Sequence, residues 1–89
     1  MSVLLRPWGH LHYRLRGPES GLPVVLLTSL GTDLRMWEGV ADRLPAIRLI
    51  GMDKRGHGLS ATPTDDWTLD DLAGDALALM DHLGVARAV

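Results

Sequence analysis

The chain has 89 residues, which bounds it to one domain spanning residues 1–89, and at 46% hydrophobic and 22% charged residues it reads as globular. It has no cysteine, which excludes a disulfide framework and a thiolate metal site, and its net charge of −2 argues against a nucleic-acid footprint. Its apolar runs are far too short to span a membrane, and no basic segment followed by a long apolar stretch opens it, so a cytoplasmic location is expected.

Ser2–Arg6 and Leu11–Arg16 flank the turn signal Pro7-Trp8-Gly9. In the second run Leu11, Tyr13 and Leu15 alternate with His12, Arg14 and Arg16. Period-two alternation predicts a half-buried strand, hence an antiparallel hairpin at a sheet edge. Gly17–Gly21 reads as a loop. Pro23–Thr28 is apolar on both faces and short, as a parallel strand covered by helices on both sides would be. The turn Ser29-Leu30-Gly31-Thr32 follows. Asp33–Leu44 is then expected as one helix, capped by Asp33 or Thr32 and stopped by Pro45, with Met36, Trp37, Val40, Ala41 and Leu44 on its apolar face.

Ile47–Met52 reads as a second buried strand and runs into the loop Asp53–Pro63. Thr68–Leu83 carries the strongest helix signal, with Thr68 and Asp71 as a capping-box-like pair. Leu69, Leu72, Ala73, Ala76, Met80 and Leu83 form its expected apolar stripe, and Gly84 its left-handed cap. Asp65, Asp66, Asp70, Asp71, Asp75 and Asp81 are read as a solvated, dipole-favoured surface. Val85–Val89 begins another apolar element. A hairpin followed by this βαβα rhythm predicts an α/β fold.

Ligands of open α/β sheets bind beyond the carboxyl ends of the strands, which here are the loops Thr28–Asp33 and Asp53–Pro63. The second, Asp53-Lys54-Arg55-Gly56-His57-Gly58-Leu59-Ser60, has two closely spaced glycines that permit a tight reversal, but it lacks the spacing of a phosphate-binding loop. Ser29 and Ser60 read as turn serines, since neither sits in a strand-to-helix elbow. Asp53 and His57 are too loosely spaced to be read as a dyad, and Asp53 and Arg55 are expected to tie the loop down by charged hydrogen bonds. Arg35 reads as a solvated helix residue rather than a partner for a substrate carboxylate. Trp67 reads as packing at the helix entrance, and Trp37 either lines a pocket or fills the core. His10, His12, His57 and His82 lack compact ligand spacing; His10 and His12 share a strand face without a third ligand, so no metal is expected.

The segment Leu27–Trp37 together with Asp53–Ser60 resembles the α/β-hydrolase superfamily and is similar, more narrowly, to its 3-oxoadipate enol-lactonases of aromatic catabolism and the β-ketoadipate pathway. The resemblance implies a Ser–His–Asp hydrolase without metal or organic cofactor, whose serine lies in a G-x-S-x-G elbow after the next strand. This sequence contains no such motif. The expectation is therefore an N-terminal portion of the fold, truncated before the nucleophile elbow and inactive in isolation. The resemblance further places one oxyanion-hole donor at the backbone N–H of Leu30, beside Ser29, with Thr28-Ser29 where many relatives have His-Gly. It makes Asp53, Arg55, Gly56, Gly58 and Ser60 a framework loop and Trp37 and Ser29 candidate substrate contacts. The implied substrate is a small lactone or ester, with no nucleic acid and no membrane as partner. The alternatives are a carboxylesterase, a carbon–carbon bond hydrolase, or a non-catalytic interaction module that self-associates through an exposed edge of the Val24–Thr28 strand.

Overall fold

A computed structural model describes residues 2–89. Strand β1 (Ser2–Arg6) turns through Pro7 and Trp8 into β2 (Gly9–Arg16), which starts two residues earlier than expected because Gly9 already pairs with Arg6. Then come β3 (Pro23–Leu26), a 3-10 turn (Leu34–Trp37), helix α1 (Glu38–Arg43), β4 (Arg48–Met52) and helix α2 (Leu69–Leu83). The four strands lie in the order β1-β2-β4-β3. β2 pairs antiparallel with both β1 and β4, whereas β3 runs parallel to β4, so the hairpin forms the antiparallel side of a mixed sheet.

Strand β4 decides what each face buries, because successive side chains point to opposite sides. Ile50 and Met52 join Leu11, Leu79 and Val85 in the buried core beneath α2. Leu49 and Gly51 face the other way, into a cleft lined by Leu26, Leu34, Trp37 and Ala41. Helices thus cover both faces, although β3 itself is half-buried rather than sealed.

The helix expected over Asp33–Leu44 is two shorter pieces, and its buried residues are Leu34 and Ala41. Met36, Val40 and Leu44, expected on the apolar face, are exposed. The break has a local cause. Asp33 accepts the Arg35 N–H at 2.9 Å and winds the start into a 3-10 turn, and that turn rotates the residues after it.

Helix α2 follows its sequence signals closely at the ends. The Thr68 side chain accepts the Asp71 N–H while Asp71 accepts the Thr68 N–H, and Gly84 closes the helix at φ 70°. Its middle differs from expectation. Leu69, placed on the apolar stripe, is 82% exposed, and the residue that reaches the core is Leu79. Asp75, read as solvated, has 0% relative exposure.

That burial is possible because both carboxylate oxygens of Asp75 are occupied. Oδ1 accepts from Arg6 Nε at 3.0 Å, Trp8 Nε1 at 3.1 Å and Arg55 Nη2 at 2.9 Å, and Oδ2 accepts from Arg55 Nε at 2.9 Å. The Arg55 guanidinium also lies 4.7 Å from the Trp8 ring centroid, in cation–π range. Burial alone pushes the Asp75 carboxyl up, but the donors from Arg55, Trp8 and Arg6 outweigh it and hold the group below the ordinary carboxylate range.

Candidate active site: two loops at the strand ends

The loops after β3 and β4 lie side by side, because their strands are parallel neighbours. The β4 loop is fixed by Asp53, which is 1% exposed. Its carboxylate accepts the Leu34 N–H at 2.8 Å, the Leu59 N–H at 3.0 Å and His12 Nδ1–H at 2.9 Å. With the Asp53 carboxylate as the common acceptor, Nδ1 of His12 carries the hydrogen. Ser60 adds a second tie: its hydroxyl donates to the Asp53 carbonyl at 2.6 Å and accepts the His12 N–H at 2.8 Å.

Both glycines of this loop are conformational requirements. Gly56 and Gly58 have φ of 78° and 51°, where side chains with a Cβ are strained. A Cβ at Gly58 would collide with the Asp53 carboxylate, and one at Gly56 would press on the Trp67 ring at 3.2 Å. Trp67 is thus packed over the loop at the entrance to α2. Arg55 points away from Asp53 and binds Asp75, so the two loop charges anchor to different elements. His57 Nδ1–H donates to the Arg55 carbonyl at 3.1 Å, and the histidine that meets Asp53 is His12.

The β3 loop is built differently. Ser29, Leu30 and Gly31 are exposed, Leu30 to 85%, so packing does little to hold them. Their order comes from hydrogen bonds converging on carbonyl oxygens. Thr32 Oγ1 donates to the Ser29 carbonyl at 2.7 Å, and the Thr32 N–H does so at 3.2 Å. Lys54, from the β4 loop, donates through Nζ to the same Ser29 carbonyl at 2.6 Å and to the Thr28 carbonyl at 3.2 Å. Among the described residues the Leu30 N–H has no hydrogen-bond partner. The Trp37 indole N–H secures the chain just upstream, on the Leu27 carbonyl at 3.0 Å. Trp37 lies on the α1 side of the sheet, in the cleft with Leu26 and Ala41.

An open groove of about 240 Å³ runs on the α2 side, between Leu27 and Thr28 at the end of β3 and Leu69, Leu72 and Ala76 of α2, with Lys54 on its wall. A second recess of about 360 Å³ lies beside His12 and Asp53 and includes Arg35. There Arg35 forms an ion pair with Asp33 at 2.8 Å, and its side-chain and backbone donors lower the Asp33 carboxyl to about 2. Among the described residues no cluster of three His, Cys, Asp or Glu could hold a metal ion. None of their helices is long and apolar enough to cross a membrane.

Residues 23–89 match the family described as the alpha/beta hydrolase fold. The chain belongs to this family. Its hairpin, parallel β3–β4 pair and two helical layers match the N-terminal part of an α/β-hydrolase fold. It is 37% identical over 79 residues to 3-oxoadipate enol-lactonase 2 of Acinetobacter baylyi, a match covering 88% of this chain and 30% of the relative. It is 42% identical over 73 residues to the dihydrolipoyllysine-residue acetyltransferase component of the acetoin cleaving system of Pseudomonas putida, covering 81% of this chain and 20% of that protein. The crystal structure of the enol-lactonase from Burkholderia xenovorans superposes with a TM-score of 0.91 at 40% identity, over 98% of this chain and 35% of that one. The chain therefore spans about a third or less of the length of these relatives.

Within this α/β-hydrolase chain, three contributors to the site region escaped the sequence reading: His12, Lys54 and Asp75. His12 sat on the strand face assigned to solvent. Lys54 alternates with Asp53 at the end of β4, so its side chain leaves on the opposite side, toward the β3 loop. That alternation was the one available signal.

Proposed function

We propose that this chain supplies the oxyanion side of a serine hydrolase that opens a carboxylate-bearing enol-lactone, of the 3-oxoadipate enol-lactone kind. The observation that carries the reading is the Leu30 N–H, left without a partner on an exposed turn beyond the end of a parallel strand. The similarity to two enol-lactonases supports the substrate class.

Attack by a serine hydroxyl on the lactone carbonyl places negative charge on the carbonyl oxygen. Two backbone N–H donors would share that charge, with Leu30 as one of them. Collapse of the intermediate breaks the ring C–O bond and releases an enol, which becomes the ketone. Water then frees the acyl group from the serine, giving 3-oxoadipate. Nothing in this sequence of bonds calls for a metal or an organic cofactor. Ser29 borders the oxyanion turn, and Trp37 fixes the strand leading into it. The framework loop of Asp53, Arg55, Gly56, Gly58 and Ser60 keeps Lys54 and the β4 end in place. A cytoplasmic setting goes with this reading.

The serine comes from outside these 89 residues, so the 89-residue chain assayed by itself shows no turnover above buffer. Turnover that depends on Ser29 or Ser60 would overturn that assignment. For a longer enzyme carrying this segment, consumption of the enol-lactone is compared with that of p-nitrophenyl acetate. Preference for the simple ester would favour the second reading, a carboxylesterase or carbon–carbon bond hydrolase.

A third reading makes the chain an interaction module. Among the described residues the outer side of β3 is engaged only near its start, where the Val25 N–H donates to the Val89 carbonyl at 2.9 Å and the Val89 N–H to the Pro23 carbonyl at 3.0 Å. Self-association through the remainder of that edge would appear as a stable dimer in size-exclusion chromatography.

A further inference from the structure

Building on Leu30 as an oxyanion donor, we propose that Lys54 is a positioning residue: its ammonium group sets the direction and strength of the Leu30 N–H through the Ser29–Leu30 peptide. The peptide unit is planar and trans, so the Ser29 C=O and the Leu30 N–H point in opposite directions across one rigid plane. Whatever holds the carbonyl aims the amide. Lys54 Nζ holds it at 2.6 Å, and Thr32 Oγ1 adds a second side-chain donor at 2.7 Å. The Thr28 carbonyl, 3.2 Å from Nζ, extends the grip to the preceding peptide.

On the turn itself only Thr32 shares this hold, among the described residues. Ser29, Leu30 and Gly31 are exposed, and the Leu30 side chain makes no buried packing. Thr32 is the one side chain of the turn that bonds back across it, whereas Lys54 stands next to Asp53, the most thoroughly anchored residue of the β4 loop. A positive charge at the carbonyl oxygen also draws electron density from the amide nitrogen, which makes the attached N–H a stronger donor. The β4 loop thus reaches the reacting carbonyl without touching it.

The test uses the longer enzyme carrying this segment, as wild type, Lys54→Met and Thr32→Val. For Lys54→Met, kcat falls about tenfold to hundredfold, less than the loss on deleting an oxyanion donor outright, while KM changes little. Affinity for a phosphonate that mimics the tetrahedral intermediate falls in step with kcat. Thr32→Val shows the same pattern with a smaller loss, and it carries the test if Lys54→Met does not fold. A Lys54→Met enzyme with unchanged kcat overturns the proposal. So does a loss of kcat with no loss of phosphonate affinity. In parallel, the Leu30 amide resonance of ¹⁵N-labelled protein moves upfield in Lys54→Met. If the wild type hydrolyses no ester or lactone, the hydrolase reading fails by itself. The Leu30 resonance then decides the role of Lys54, and an unmoved resonance overturns it.

Discussion

The loops at the ends of β3 and β4 sit side by side and are held in opposite ways. The β4 loop is tied through paired side chains: buried Asp53 with three donors, buried Arg55 with Asp75, and half-buried Ser60 with the Asp53 carbonyl. The β3 loop is exposed, and its carbonyls are held while the Leu30 N–H, among others of the turn, has no partner among the described residues. On the proposed reading the turn offers a donor to a ligand and cannot also bury it, so its order comes from a neighbour. The contrast teaches that a packed loop and an exposed one can stand side by side, with Lys54 of the first holding the carbonyls of the second.

The sharpest way to break this contrast is to remove the buried anchor. Asp75→Ala leaves Arg55, Arg6 and Trp8 without their common acceptor. Losing one partner of a buried charge pair costs about 3–5 kcal/mol, so urea denaturation should find this variant largely unfolded or close to it. The same carboxylate sets an acid limit. Its pKa is lowered in the folded state from an ordinary 3.8, so its contribution is fully present above that value and is lost as pH falls below it. Denaturation midpoints measured from pH 6 down to about pH 2 should fall steeply below about pH 4.

Gly58→Ala attacks the β4 loop from inside. It places a Cβ against the Asp53 carboxylate at a left-handed backbone position, and strain together with overpacking should cost about 2–4 kcal/mol in thermal melts. His12→Phe removes the donor to Asp53 while keeping a ring of similar shape, for an expected loss of about 1–3 kcal/mol by urea denaturation. If it proved neutral, the claim that Asp53 needs all of its donors would fail. Thr68→Ala lies outside both loops and should cost only about 1 kcal/mol, through the capping box of α2.

What the sequence made legible divides along the same line. The hairpin, both parallel strands and the ends of α2 rest on local chemistry: alternation, a capping pair and a terminal glycine. These are interactions between residues a few positions apart, and periodicity records them. Asp75 was misplaced because its partners are 20 to 69 residues away, and a carboxylate on a helix carries no local mark of being paired. His12 was missed for the same reason, with Asp53 41 positions distant. The helix after β3 was drawn too long because its apolar residues fit a helical period, whereas the Asp33 cap winds its first turn as a 3-10 turn. The family resemblance pointed to Leu30, but no motif marks the residue that aims its amide.

The reach of Asp75 also bears on the order in which the molecule can assemble. Its bonds to Arg6 and Trp8 join residues 69 and 67 positions apart. At about 5–20 residues per second, a ribosome that has made the hairpin needs roughly 3–12 seconds to add the residue that clamps it. During that interval Arg6 and Trp8 wait without their acceptor, and the apolar side of the hairpin waits for Leu79. The hairpin is thus made well before the helix that secures it, which makes it a place where a nascent chain is exposed to chaperones and to wrong partners.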